Sequence, residues 1–144
     1  MPIKIMFVFG TRPEAIKIIP VIKKMIQDKN NFKIKICVTA QHRDILDQML
    51  ELFDIKPDYD LDIMRQSQNL SQITSSCLIK LENIFLLEKP DLVLVHGDTS
   101  TTFAASLAAF YSKIKIGHIE AGLRTFNKFE PFPEEINRRL VAWD

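Results

Sequence analysis

The chain has 144 residues, 47% of them hydrophobic, and a formal net charge of +1. That length fits one ordinary domain with a real core. The near-neutral balance excludes the strong field that would point to nucleic acid or a membrane surface as partner.

The opening MPIKIMFVFG carries too short an apolar run for a signal peptide, and no stretch approaches the length of a membrane span. Ile3 to Phe9 is rich in branched apolar residues and reads as a buried strand. Pro13 to about Asp28 repeats Ala15, Ile18, Ile19, Ile22, Met25 and Ile26 at helical spacing. Pro13 suits a first helical turn, whereas Pro20 is expected to kink or split the helix. Lys33 to Thr39 alternates as a second strand, Asp44 to Phe53 is a short helix, and YDLDI is a candidate third strand. Leu70 to Glu88 is a longer helix, closed by Pro90. DLVLVHG is a buried strand, TTFAASLAAFYS a small-residue helix, and Ile114 to Ile119 a last strand. A loop from Ala121 to Pro133 leads to a helix from about Glu134. Cys37 and Cys77 fall inside a strand and a helix. They read as buried free thiols of a reducing compartment, the cytoplasm, and not as a disulfide or metal pair.

Strands such as IMFVF and LVLV are apolar on both faces. With strict alternation of strand and helix, this predicts an α/β fold, a Rossmann-like parallel sheet with helices on both faces. EEINRRLVAWD stops within a helix without a C-cap glycine. The expectation is that residues 1–144 are one Rossmann-like domain that either docks on something else or is part of a longer protein.

In such a sheet, ligands bind beyond the carboxyl ends of the strands. Those ends carry Gly10-Thr11-Arg12, Thr39-Ala40-Gln41-His42-Arg43, His96-Gly97-Asp98-Thr99 and His118-Ile119-Glu120, with Arg124 shortly after. One edge is therefore expected to hold Arg12, His42, Arg43, Asp98, Glu120 and Arg124. Arginine forks hold phosphate oxygens, and neighbouring carboxylates raise one another's pKa so that one serves as acid and another as base. The first turn has one glycine, Gly10, where a dinucleotide fingerprint has three. It can still receive an anion at the helix start after Gly10, as can the helix start after Gly97. The mixture suits proton transfer beside a phosphate-bearing leaving group. Each residue also has a plainer reading. Arg12 could pair with Glu14, Asp98 could be a helix N-cap, and Glu120 a solvated turn residue. His42 could be structural, Lys17 an exposed lysine, and Glu134 with Glu135 a favourable charge on a helix N-terminus.

The blocks FGTRPEAIK, VTAQHRDILDQML, PDYDLDIM, LVHGDTSTTFAASLAAFY, GHIEAGLRT and PEEINR run in order over nearly the whole chain. They resemble the N-terminal domain of the non-hydrolysing UDP-N-acetylglucosamine 2-epimerases. The resemblance implies the first half of a glycosyltransferase-B-like two-domain fold, with the active site between the domains and most uridine and diphosphate contacts supplied by a second domain absent from this chain. It implies interconversion of UDP-N-acetylglucosamine and UDP-N-acetylmannosamine. UDP leaves as the C2 proton is removed, a 2-acetamidoglucal forms, and UDP adds back with the proton on the other face. No cofactor and no metal are implied. Carried over by motif, Asp98, Glu120 and Glu134 match the acid/base carboxylates, and Arg12 and Lys17 the substrate contacts, with Arg12 near the diphosphate. Gln41, His42 and Arg43 match a segment that, in some bacterial members, contacts a second UDP-N-acetylglucosamine as activator. The implied partner is a UDP-sugar, with no nucleic acid and no membrane. The implied whole enzyme is a cytoplasmic homodimer serving surface polysaccharide synthesis. A hydrolysing relative, or a truncated non-catalytic fragment of the family, remain alternatives.

Overall fold

The computed structural model describes residues 1–40 and 43–142. Five strands, β1 (Ile3–Phe9), β2 (Phe32–Val38), β3 (Tyr59–Asp60), β4 (Leu92–His96) and β5 (Lys115–Ile119), form one sheet in the order β3-β2-β1-β4-β5. Every neighbouring pair is parallel. The helices are α1 (Arg12–Ile26), α2 (Arg43–Leu52), α3 (Leu70–Glu88), α4 (Ser100–Tyr111) and α5 (Glu134–Val141).

The double-faced apolar strands explain the layers. On β1, Ile5, Phe7 and Phe9 meet Ala15, Ile18, Ile19 and Ile22 of α1 and Leu46 and Leu50 of α2. The alternate residues Met6 and Val8 meet Cys77, Leu81 and Phe85 of α3 and the alanines of α4. All five of these β1 side chains are at most 2% exposed, and burying each contributes roughly 1.5–3 kcal/mol. From β1 the chain winds outward through β2 to β3 with α1 and α2 on one face. It then crosses back to β4 on the other side of β1, with α3 and α4 on the opposite face. The direction of winding thus reverses between β1 and β4, which makes their carboxyl ends the topological switch point.

Two expectations are narrowed. Pro20 does not split the first helix: α1 is continuous from Arg12 to Ile26. Pro20 lies on the exposed side of α1, beside half-exposed Ile16, where a carbonyl deprived of its helical partner can turn to water. The third strand is shorter than YDLDI, only Tyr59–Asp60. Asp62 adopts φ 44°, a left-handed conformation that ends pairing. The other ends follow local signals. Lys89 caps α3 in the left-handed region at φ 48°, just before Pro90, and Thr99 caps α4.

Cys37 and Cys77 are free and buried. Burial pushes the Cys37 thiol well up and the Cys77 thiol up to about 12, so neither is a ready nucleophile. No described helix is long and apolar enough to cross a membrane.

At the amino end of the sheet, Glu88 takes a charge-assisted contact from Lys4 and a hydrogen bond from Tyr59 Oη at 2.5 Å. Lys4 first, then Tyr59, hold the Glu88 carboxyl down at about 2. A carboxyl lowered on folding contributes stability that is complete above its unfolded value, about 4.3, and lost as pH falls toward the folded value. Glu88→Gln is therefore expected to melt several degrees below the wild type at about pH 6, and the gap should close as pH falls from about 5 to about 2. A gap in melting temperature that stays constant across that window would rule out this linkage.

Candidate functional site

The site is built from the turns that follow β1, β4 and β5. The first turn begins at Gly10, where an added Cβ would lie 1.9 Å from Thr39 Oγ1 and 3.2 Å from Thr101 Oγ1. Only glycine lets the turn approach β2 and α4 this closely. Thr11 then opens α1 with extended backbone, and Glu14, three residues on, reaches back to the turn. The Glu14 carboxylate is 2% exposed and accepts from the N–H groups of Gly10 and Thr11, each at 2.8 Å. This corrects the expectation of an anion site at the helix start after Gly10: two of the turn's donors are already engaged by the chain's own carboxylate. It also corrects the plainer reading of Arg12. Glu14 is not its partner, and among the described residues no hydrogen bond or ion pair engages the exposed Arg12 guanidinium.

The second turn follows β4. Gly97 sits at φ 72°, which glycine adopts without a Cβ penalty, and its N–H donates to Ile119 O at 2.9 Å. Asp98 is not the N-cap of α4; Thr99 is. Asp98 Oδ2 instead accepts from an Arg138 guanidinium nitrogen at 2.7 Å, while Asn137 Nδ2 donates to Asp98 O at 3.0 Å. Both partners come from α5. That helix also orders the preceding loop, because the buried Glu135 carboxylate accepts from the N–H groups of Thr125 and Phe126. These bonds, Thr125 first, hold Glu135 below the usual carboxylate range.

The third turn places Glu120 at φ 60°, a left-handed conformation that costs a non-glycine residue roughly 1–3 kcal/mol and persists where surrounding structure imposes it. It aims the carboxylate back over the sheet. Glu120 Oε2 lies 2.7 Å from His96 Nε2 and 3.8 Å from Lys17 Nζ. His96, through that bond, lowers the Glu120 carboxyl. The expectation that neighbouring carboxylates raise one another fails for Glu120, since its nearest partners are a histidine and a lysine. His118 bonds Gly97 O through Nε2 at 2.6 Å, and burial lowers its affinity for a proton. Nδ1 of His96, Nδ1 of His118 and Glu134 Oε2 are buried without a hydrogen-bond partner among the described residues.

The turns after β1 and β4, with the start of α5, line a cleft of about 530 Å³. Arg12, His96, Asp98 and Glu134 line it, with Ile45 and Leu70 as an apolar flank. Glu120 and Lys17 lie behind His96, reached through the His96–Glu120 bond. Arg12, Lys17, Asp98, Glu120 and Glu134 are thus brought to one region. Arg124 is not: its guanidinium turns back to the carbonyls of Ala121 and Leu123. Arg43 is held by Asp60 at 2.8 Å and Asp62 at 3.0 Å, so an anion would have to displace two carboxylates. Gln41 and His42 lie outside the described residues. Among the described residues no group of three or more His, Cys, Asp or Glu side chains is placed to hold a metal ion.

Sequence reasoning did not single out Glu14, His96 or Arg138. The Thr11-x-x-Glu14 spacing is a capping-box signal and could have revealed the first. His96 stood in view at the end of the fourth strand, but nothing local marks its pairing with Glu120, and nothing local marks Arg138.

The chain is 60% identical over 139 residues to the UDP-N-acetylglucosamine 2-epimerase of Neisseria meningitidis, covering 96% of this chain and 37% of that protein. A crystal structure of the Neisseria meningitidis enzyme bound to UDP-GlcNAc superposes with a TM-score of 0.90 at 60% identity, covering 96% of this chain and 38% of that one. MurG of Acinetobacter baumannii, at 17% identity and a TM-score of 0.64, covers 81% of this chain and 35% of its own. That last likeness shows the fold alone, the Rossmann-like half of a glycosyltransferase-B-like architecture. The chain spans little more than a third of the length of the curated relatives it matches. With residues 24–142 matching the family model for UDP-N-acetylglucosamine 2-epimerase, the chain belongs to that family.

Proposed function

We propose that this chain forms one wall of an enzyme that interconverts UDP-N-acetylglucosamine and UDP-N-acetylmannosamine by elimination and re-addition of UDP. One observation carries the reading. Three carboxylates lie at or beside the cleft, each with different partners: Asp98 on Arg138, Glu120 on His96 and Lys17, and Glu134 with Oε2 unpartnered among the described residues. Epimerisation at C2 needs that inequality. The C2–H and C1–O bonds break, a C1–C2 double bond forms, the base keeps the proton, and UDP carries the electron pair. For the return, a second acid delivers a proton to the opposite face while UDP re-forms the C1–O bond. Glu120, held as the anion by His96, suits the base, and Asp98 and Glu134 share the acid and positioning roles. Arg12, which lines the cleft and whose fork is unpaired among the described residues, suits the leaving diphosphate, and Lys17 sits beside Glu120. In the same reading, Gln41, His42 and Arg43 take part in binding a second, activating UDP-sugar, Arg43 by exchanging its bonds to Asp60 and Asp62 for the ligand, and the working enzyme is a cytoplasmic homodimer that supplies surface polysaccharide synthesis.

The test uses the chain joined to the second domain found in its relatives. In deuterium oxide, product UDP-N-acetylmannosamine should carry deuterium at C2, with UDP as the transient leaving group. Product formed with the original hydrogen retained would exclude elimination and re-addition. The 144 residues alone are expected to give no turnover in a coupled assay for UDP-N-acetylmannosamine, because a one-walled cleft cannot exclude water from the reacting carbons. Turnover clearly above background would overturn that expectation.

A further inference from the structure

Glu14 is a buried ionisable group that the proposed chemistry does not use. Its Oε2 accepts from the N–H groups of Gly10 and Thr11 and from Thr11 Oγ1, and its Oε1 accepts from Thr99 Oγ1 at 2.6 Å. The donors come from two turns, one after β1 and one after β4, on either side of the switch point. Thr99 is also the N-cap of α4, taking the N–H of Thr102 at 3.2 Å. One carboxylate therefore occupies the point where turn donors converge and ties the two turns together. Arg12 directly follows Thr11, and Asp98 directly precedes Thr99, so this tie sets the distance between two walls of the cleft. In folds of this kind, the first turn is where a ligand phosphate usually settles. Here an internal anion holds that place.

We infer that Glu14 is a positioning residue, an internal anion bridging the β1 and β4 turns that fixes Arg12 relative to Asp98 and keeps a substrate phosphate out of the first turn. The positioning part rests on the functional reading above; the internal-anion part stands without it. Formate is the probe, since it restores a carboxylate without a tether. Glu14→Ala in this chain is expected to lower the melting temperature by roughly 10 °C, because several buried donors lose a charged acceptor. Formate at ~50 mM should recover about half of that loss relative to chloride at equal ionic strength, while the wild type shifts by less than about 1 °C. A loss with no formate-specific recovery overturns the internal anion. If the alanine variant does not fold, Glu14→Gln decides. Its amide keeps one oxygen for the Gly10 and Thr11 N–H groups but turns a donor toward the Thr99 hydroxyl, so those N–H groups, bonded to a neutral acceptor in place of a charged one, should exchange at least about tenfold faster. Unchanged exchange at both overturns the proposal.

In the two-domain enzyme, Glu14→Gln should lower kcat by roughly tenfold or more, with KM for UDP-N-acetylglucosamine changed by less than about threefold. A raised KM with kcat unchanged overturns the positioning role. A two-domain wild type without turnover is the failure of the functional reading, and the formate arm then decides the internal anion by itself.

Discussion

In the two-domain enzyme, Glu120→Gln is expected to lower turnover by about 10²–10⁴-fold, with substrate binding changed far less. The amide keeps the shape and a hydrogen bond to His96 but cannot take a proton. The size follows from what a positioned general base contributes. Asp98→Asn is expected to fall by a similar factor, since it keeps the contact to Arg138 but loses the charge. The His96 variant separates this account from a merely structural role. His96 lies 2.7 Å from the Glu120 carboxylate and lowers its pKa, with Lys17 and Arg138 adding to the effect and burial opposing it. A base with a depressed pKa stays deprotonated to lower pH. In His96→Gln the Glu120 carboxyl should climb back toward its ordinary value, and the acid limb of the kcat/KM profile should move to higher pH. Near wild-type turnover in Glu120→Gln and Asp98→Asn, with the fold intact by circular dichroism, would remove both from the acid/base chemistry. An acid limb that does not move in His96→Gln would remove His96 from the tuning of Glu120.

A loss of stability as large as that of Glu14→Ala is expected at Gly10. An alanine there places its Cβ 1.9 Å from Thr39 Oγ1, well inside contact distance. Thr39 is fully buried and its hydroxyl is engaged by Thr101 Oγ1 at 3.0 Å, so it cannot simply turn aside. Overpacking a filled interior costs about 3 kcal/mol in such a case, which corresponds to roughly 10 °C in a chain of this size. The clash is with one atom, so its removal should help. Thr39→Ala alone should cost about 1 kcal/mol for the lost hydroxyl pair. The double variant Gly10→Ala/Thr39→Ala should be more stable than Gly10→Ala, although the Thr39 Cβ itself, at 3.2 Å, keeps relief partial. Melting losses that simply add in the double variant would show that the loss lies in the backbone of the turn and not in this contact.

The two variants probe parts of the molecule that differ in how legible they are in the chain itself. The sheet and its helices were local facts. Five consecutive apolar residues from Ile5 to Phe9, the helical spacing through Ile18, Ile19 and Ile22, and the small-residue helix after Thr99 each specify an element from near neighbours alone. Their alternation, with strands apolar on both faces, specifies a parallel layered fold, and that fold puts the polar strand ends at one edge. Hence Arg12, Asp98 and Glu120 were readable as residues of that one edge. Who pairs with whom was not. His96 and Glu120 are 24 positions apart and meet because β4 and β5 are neighbours in register, with His96 opposite Ile119. Asp98 and Arg138 are 40 positions apart and meet because α5 folds back onto α4. Glu14 reaches Thr99 across 85 positions, because the winding reverses between β1 and β4. Residue type and spacing determine local conformation and which face is apolar. Hydrogen-bond partners, and therefore the protonation of each carboxylate, depend on strand order and helix docking, which only burial of the whole core decides.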